Sequence, residues 1–260
     1  MKLAKRLFDF YLDSSLHIAF AVVALLHISR ISFNATSNSN LNYFLFFGTV
    51  VGYNFLKYSI PALENRLFLK HNLPILSATI IAGTTTVYYF FQLQSPLQKA
   101  FFIMGFLILA YPFLRRYGMW KMVLVGYAIA MITVYIPFAE SQIAGYDLYI
   151  TMLQRFLITI SLLIPLEIED SQNDKLTTHT LPQKKGVRFT QLFGILLLFP
   201  FLTIEFLKAN SSYIVLPISI ITAVAIQFSA IKRNKYFTSF WVESIPILWW
   251  LILMLFNLNV

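Results

Sequence analysis

The stretch LLIPLEIEDSQNDKLTTHTLPQKKG, residues 162–186, opens as a membrane helix and closes as a charged loop. Glu167, Glu169, Asp170 and Asp174 fall within eight positions, and Lys175, Lys184, Lys185 and Arg188 follow. Apolar residues that give way to dense charge mark the point where a chain leaves a bilayer. The rest of the chain reads the same way. Of its 260 residues 58% are hydrophobic and only 12% are charged, where a soluble domain carries about 25% charged residues. Too few polar groups remain to cover a solvated surface, so lipid is the solvent. The absence of cysteine excludes disulfides, thiolate metal sites and cysteine nucleophiles.

A spanning helix needs about 20 mostly apolar residues. Working outward from the quoted stretch, this predicts an all-α integral membrane bundle of about nine transmembrane helices, near 14–33, 41–61, 73–92, 100–117, 119–139, 148–168, 189–207, 212–231 and 237–257. The fourth and fifth are separated only by RRYGMWK, which predicts a tight hairpin. No soluble domain is visible, so residues 1–260 read as one transmembrane domain. The N-terminal MKLAKRLFDFYLD is basic without a cleavage pattern and reads as a cytoplasmic tail leading into a retained helix. Asn34-Ala35-Thr36 matches a glycosylation acceptor but reads as a short polar turn.

Charge supplies an independent check on the count. If alternate loops are taken, with the N-terminus inside, residues 2–6, 57–70, 115–121, 175–188 and 232–235 carry 16 Lys and Arg. The opposite loops carry 2, Lys99 and Lys208, while Arg30 and Arg155 lie within or at the ends of spans. Positive charge collects on the cytoplasmic side. The split predicts a cytoplasmic N-terminus and an external C-terminus, in an inner (cytoplasmic) membrane of bacterial type. It also accounts for the net charge of +9 by topology and anionic headgroups, without nucleic acid.

Carboxylates at a bilayer are costly and are functional candidates by default. Glu167, Asp170 and Asp174 are spaced i, i+3, i+7 and would share one helix face, where they repel unless a cation sits among them. Two readings stand: a site for a hard cation such as Mg²⁺, often held by one or two carboxylates and substrate phosphates, or a solvated loop. Arg115, Arg116 and Lys121 lie on the same side and suit a phosphate, though flanking positive charge alone would place them there. Glu205 and Lys208 read as a boundary ion pair, and Glu243, in YFTSFWVESIPILWW, as a paired structural acid or the lining of a pocket. His17 and His27 read as structural. Arg155 must pair, with no partner evident from sequence.

Two of these stretches resemble the UbiA-type membrane prenyltransferases. YPFLRRYGMWK with VLVGYA is similar to the family's Tyr-Pro-basic hairpin after the fourth helix. Asp170 and Asp174, followed by Thr180, Leu181, Pro182 and Gly186, resemble its second Asp-rich motif, D-x-x-x-D then T-L-P-x-x-x-G. The resemblance implies a UbiA-like bundle around a cavity open to the cytoplasmic leaflet. It further implies Mg²⁺ held by Asp170, Asp174 and Glu167 on an isoprenyl diphosphate. Arg115, Arg116 and Lys121 would neutralise the leaving diphosphate, and a lipophilic acceptor in the membrane would be prenylated. The first family motif, N-D-x-x-D-x-x-x-D, is broken. Asn54 keeps the asparagine, but Phe55, Tyr58 and Ala62 stand at the acid positions, and Lys57 in the same turn would oppose a metal and favour a diphosphate. The rival expectation is a non-catalytic protein that binds a quinone, carotenoid or lipid, or serves as a subunit of a larger membrane complex.

Overall fold

The structure is a computed structural model that describes residues 2–64, 72–114, 119–139, 145–173, 180–230 and 234–257. Arg115, Arg116, Asp174 and the turn expected at 115–118 lie outside the described residues. The described residues form helices joined by short turns, with no strand among them. In chain order the helices are α1 (Lys2–Asp13), α2 (Leu16–Phe33), α3 (Ser39–Glu64), α4 (Leu73–Phe91), α5 (Ser95–Leu114), α6 (Met119–Phe138), α7 (Gly145–Asn173), α8 (Leu181–Lys185), α9 (Val187–Glu205), α10 (Val215–Phe228) and α11 (Ile245–Asn257).

Among the described residues six segments are long and apolar enough to cross a membrane: α2, α4, α6, Gly145–Ser171 of α7, α9 and Phe237–Phe256. This is the pattern of an all-helical integral membrane protein. Ser95–Leu109 and Val215–Phe228 are apolar but shorter. In α3, Asn40, Asn42, Asn54 and Lys57 interrupt the apolar run.

Two prolines leave their mark on helix geometry. Residues Met131–Tyr135 of α6 form a π-helical turn just before Pro137, and Phe237–Val242 form another before Pro246. Proline has no N–H for the carbonyl four residues back, and its ring crowds that carbonyl. The carbonyls concerned, of Thr133 and Val242, lie inside the two widened turns, which take up the misfit.

The main core lies where α2, α7, α9, α10 and α11 meet, around Ile158, Ile164, Ile168, Phe201, Ile218 and Ile226. Without lipid-driven attraction between apolar helices, close backbone approach supplies packing. Gly194 permits it: a Cβ there would stand 2.7 Å from Ile164 Cγ1. The Ser161 hydroxyl donates to the Gly194 carbonyl across the same contact at 3.1 Å. α4 packs along α3 and is otherwise exposed, with Ile80, Ile81 and Phe91 turned outward toward lipid.

Hydrogen bonds sort the connections into two ends. At one, the α1–α2 turn meets α3, the start of α6 meets the end of α7, and residues 235–244 meet α1, α2 and α7. At the other, Arg30 of α2 meets the 37–42 segment, and α7 meets the α9–α10 connection.

Candidate functional site

The expected acids lie at the first end. α7 carries Glu167 and Asp170 one turn apart on one face, as the i, i+3 spacing requires. Between them sits Lys121 from the first turn of α6. Its Nζ is 2.5 Å from Glu167 Oε1 and 3.0 Å from Asp170 Oδ2. Side-chain exposure is 10% for Lys121 and 2% for Glu167, against 42% for Asp170. The cation that the acid spacing calls for is therefore an ammonium group. Glu169 points to the lead-in of α11, where the Thr238 hydroxyl donates to its carboxylate.

Asn54, at the asparagine position of the first motif that the resemblance suggested, is 2% exposed and fully employed. Its Oδ1 accepts from Ser15 Oγ at 2.7 Å, and its Nδ2 donates to the Ser14 carbonyl at 3.1 Å and to Thr79 Oγ1 at 2.8 Å. It ties the α1–α2 turn and α4 to α3. The turn it braces is demanding, because Ser15 has φ 62, a left-handed conformation that non-glycine residues seldom take. Tyr58, at a second acid position, donates its hydroxyl to the Asp13 carbonyl at 2.6 Å. Phe55 is 38% exposed. Lys57 lies 3.5 Å from Asp13.

The T-L-P-x-x-x-G stretch has a local reason. Pro182 starts the short α8, Gln183 Oε1 accepts from the Thr180 N–H at 3.0 Å, and Gly186 turns the chain into α9 with φ 86. These residue types at these spacings build a turn. Leu181 and Pro182 anchor it by burial.

The end is closed by α1. Asp9 meets Lys235 at 3.0 Å and accepts from the Tyr236 hydroxyl at 2.7 Å. The Tyr236 hydrogen bond, with help from Lys235, holds the Asp9 carboxyl below its usual range. Tyr11 reaches His17 Nδ1 at 2.8 Å, and the other ring nitrogen meets the Phe240 carbonyl and Ser244 Oγ, so His17 is a joint between helices.

Beneath these groups an apolar cavity with an empty volume of about 550 Å³, partly open, lies among α2, α3, α6, α7 and the lead-in of α11. Leu25, Ile129 and Leu163 line it, with Tyr53, Thr159 and Glu243 as its polar groups. The sequence placed Glu243 only as one of two possibilities, and the structure puts it on the cavity wall. Of its neighbours in the motif, Thr238 binds Glu169, Tyr236 binds Asp9, and Trp241 is 66% exposed.

Mg²⁺ takes carboxylate oxygens in near-octahedral geometry, beside water or phosphate. Among the described residues no group of three His, Asp or Glu is placed to hold a metal. Glu167 and Asp170 share an ammonium instead, and Asn54 is committed to helix packing. Asp174, the third residue that the resemblance assigns to the metal, lies outside the described residues. Comparison with protein-family models, with curated proteins and with solved structures finds no match.

Proposed function

We propose that this chain is a UbiA-like, nine-span membrane protein that takes up an isoprenoid or comparable lipophilic molecule in its central cavity, as a binding protein rather than a Mg²⁺-dependent transferase. The observation that carries this reading is the Lys121 ammonium lodged between Glu167 and Asp170. It fills the place where the prenyltransferase reading puts metal, above a cavity that is otherwise apolar. Its lining, mostly apolar with a few polar groups, has the character of a small-molecule pocket. Glu243, with Tyr53 and Thr159, supplies a few polar groups to orient the ligand's polar end, which suits a quinone or a prenyl alcohol.

The test is native mass spectrometry of protein extracted in mild detergent, beside binding of a photoactivatable prenyl probe. Wild type should retain a neutral isoprenoid and crosslink in EDTA as well as in Mg²⁺. Ile129→Trp, which fills the cavity, should cut labelling at least tenfold. Labelling unaffected by that substitution would remove the cavity from consideration. A second reading, slow prenyl transfer, is favoured by Asp170, which is 42% exposed. Mg²⁺-dependent consumption of geranylgeranyl diphosphate, lost in Asp170→Asn, would establish it instead.

The proposed topology puts the N-terminus in the cytoplasm and the C-terminus outside, with the Lys121 end facing the cytoplasm of a bacterial inner membrane. Reporter fusions at Gln94, Ser141 and Val260 should read external, and fusions at Arg116 and Lys184 cytoplasmic. One firm reversal would remove a span and, with it, the UbiA-like assignment.

A further inference from the structure

At the opposite end of the bundle, about 18 Å from Glu167 along α7 at 1.5 Å per residue, lies a second polar pocket. Arg155 is its centre and is 3% exposed. Its Nη2 donates to Ser29 Oγ at 3.0 Å, and its guanidinium lies 5.3 Å from the Trp249 ring. Its Nε and Nη1 meet no hydrogen-bond partner among the described residues, and neither does the nearby Thr151 Oγ1. A guanidinium has five N–H donors and stays charged. Burying one with most of them unmet is costly unless something arrives to meet them.

The local acid does not meet them. Glu205 receives Lys208 Nζ at 2.9 Å, Gln154 Nε2 at 2.6 Å and the Ser212 N–H at 2.8 Å. Lys208 is itself held by Gln154 Oε1 at 2.5 Å. Asp147 lies at the loop, accepting from the Ala209 N–H at 3.4 Å. Around the pocket, then, Glu205 is saturated by its own donors, while Arg155 keeps its charge and its open donors. Arg155, Thr151, Lys208 and Ser212, with the saturated Glu205, line one small, partly open cavity.

We infer that this pocket is an anion site, which takes a phosphate group against the Arg155 guanidinium with the Thr151 hydroxyl as a second contact. Arginine suits phosphate because its charge is weakly hydrated and its donors are fixed in a plane. The phosphate belongs either to a lipid headgroup entering from the surrounding leaflet or to free inorganic phosphate. The site is separate from the cavity beneath Lys121 and does not depend on what that cavity holds.

Two arms distinguish the sources. In the first, protein in micelles of dodecyl maltoside, a detergent without phosphate, is titrated with inorganic phosphate and its thermal unfolding followed. In the second, the same micelles with and without added phosphatidylglycerol are compared, and native mass spectrometry counts retained anionic lipid. Wild type should be stabilised in at least one arm. Arg155→Met, which keeps most of the bulk and removes the charge, should weaken that response at least tenfold, and Thr151→Val should weaken it in part. Stabilisation by phosphate alone assigns the site to a free anion; retention of phosphatidylglycerol that Arg155→Met loses assigns it to a headgroup. Wild type unresponsive in both arms overturns the inference, as does an Arg155→Met protein that responds like wild type. Should Arg155→Met fail to fold, the wild-type titrations and Thr151→Val still decide.

Discussion

Lys121→Met is expected to destabilise the bundle by about 3–5 kcal/mol, the cost of stranding a buried charge whose partner is removed. Glu167 is 2% exposed in its side chain, and its Oε1 lies 2.5 Å from the ammonium. Methionine fills much of the same volume, so the loss would come from charge and not from a cavity. Were these groups ordinary solvated loop charges, removing one would change stability by less than ~1 kcal/mol. The two expectations differ enough for thermal unfolding in a fixed detergent to decide. The double variant Lys121→Met with Glu167→Leu should regain most of the loss, because replacing both partners of a buried pair with apolar groups is often neutral. An unfolding temperature unchanged in the single variant would refute the ion-pair account.

The six spans were legible because each rests on a long apolar run, and composition over twenty residues is a strong signal; α1, amphipathic and not apolar, read instead as a tail. Glu205 with Lys208 was legible because an acid and a base three residues apart at a helix end are neighbours in any fold. The pairing of Lys121 was half legible. The spacing of Glu167 and Asp170 demanded a cation among them, but its identity depends on where α6 lies against α7, and no local pattern states that. Arg155 had no partner visible in sequence because its contacts, Ser29 and Trp249, come from two distant helices. The role of Asn54 was hidden for the same reason. The Thr180–Gly186 turn shows the converse: Pro182, Gln183 and Gly186 each have a local backbone role, while the Thr180 hydroxyl meets no partner among the described residues.

On the proposed UbiA-like reading, the residues at the first motif and the pairing at the second are linked. Phe55 and Tyr58 supply no carboxylate on α3 to share a metal held by α7. Glu167 and Asp170, like charges one turn apart, take the Lys121 ammonium as their counter-ion. On that reading, acids placed at 55 and 58 would not by themselves create a metal site while Lys121 keeps its place.

Asn54 offers the sharpest separation between the packing role and the ligand role. Asn54→Leu would leave the Ser14 carbonyl, the Ser15 hydroxyl and Thr79 Oγ1 without the partner each now has. Thr79 retains its own bond to the Ile75 carbonyl at 2.7 Å, so the loss concentrates on the Ser14–Ser15 turn. That turn is buried, with Ser14 at 0% and Ser15 at 1% exposure, and already holds a positive φ. Each net hydrogen bond is worth about 0.5–1.5 kcal/mol and each buried orphan costs about 1–3, so a total of roughly 2–4 kcal/mol is expected. Thermal unfolding should show this loss in the absence of any ligand, and cysteine accessibility at residue 14 in a Ser14→Cys background should rise as the turn loosens. A diphosphate ligand would behave the other way. Asn54→Leu would then leave the empty protein as stable as wild type and remove only the stabilisation that geranylgeranyl diphosphate confers. Unaltered unfolding combined with lost diphosphate response would return Asn54 to the site that the broken motif once described.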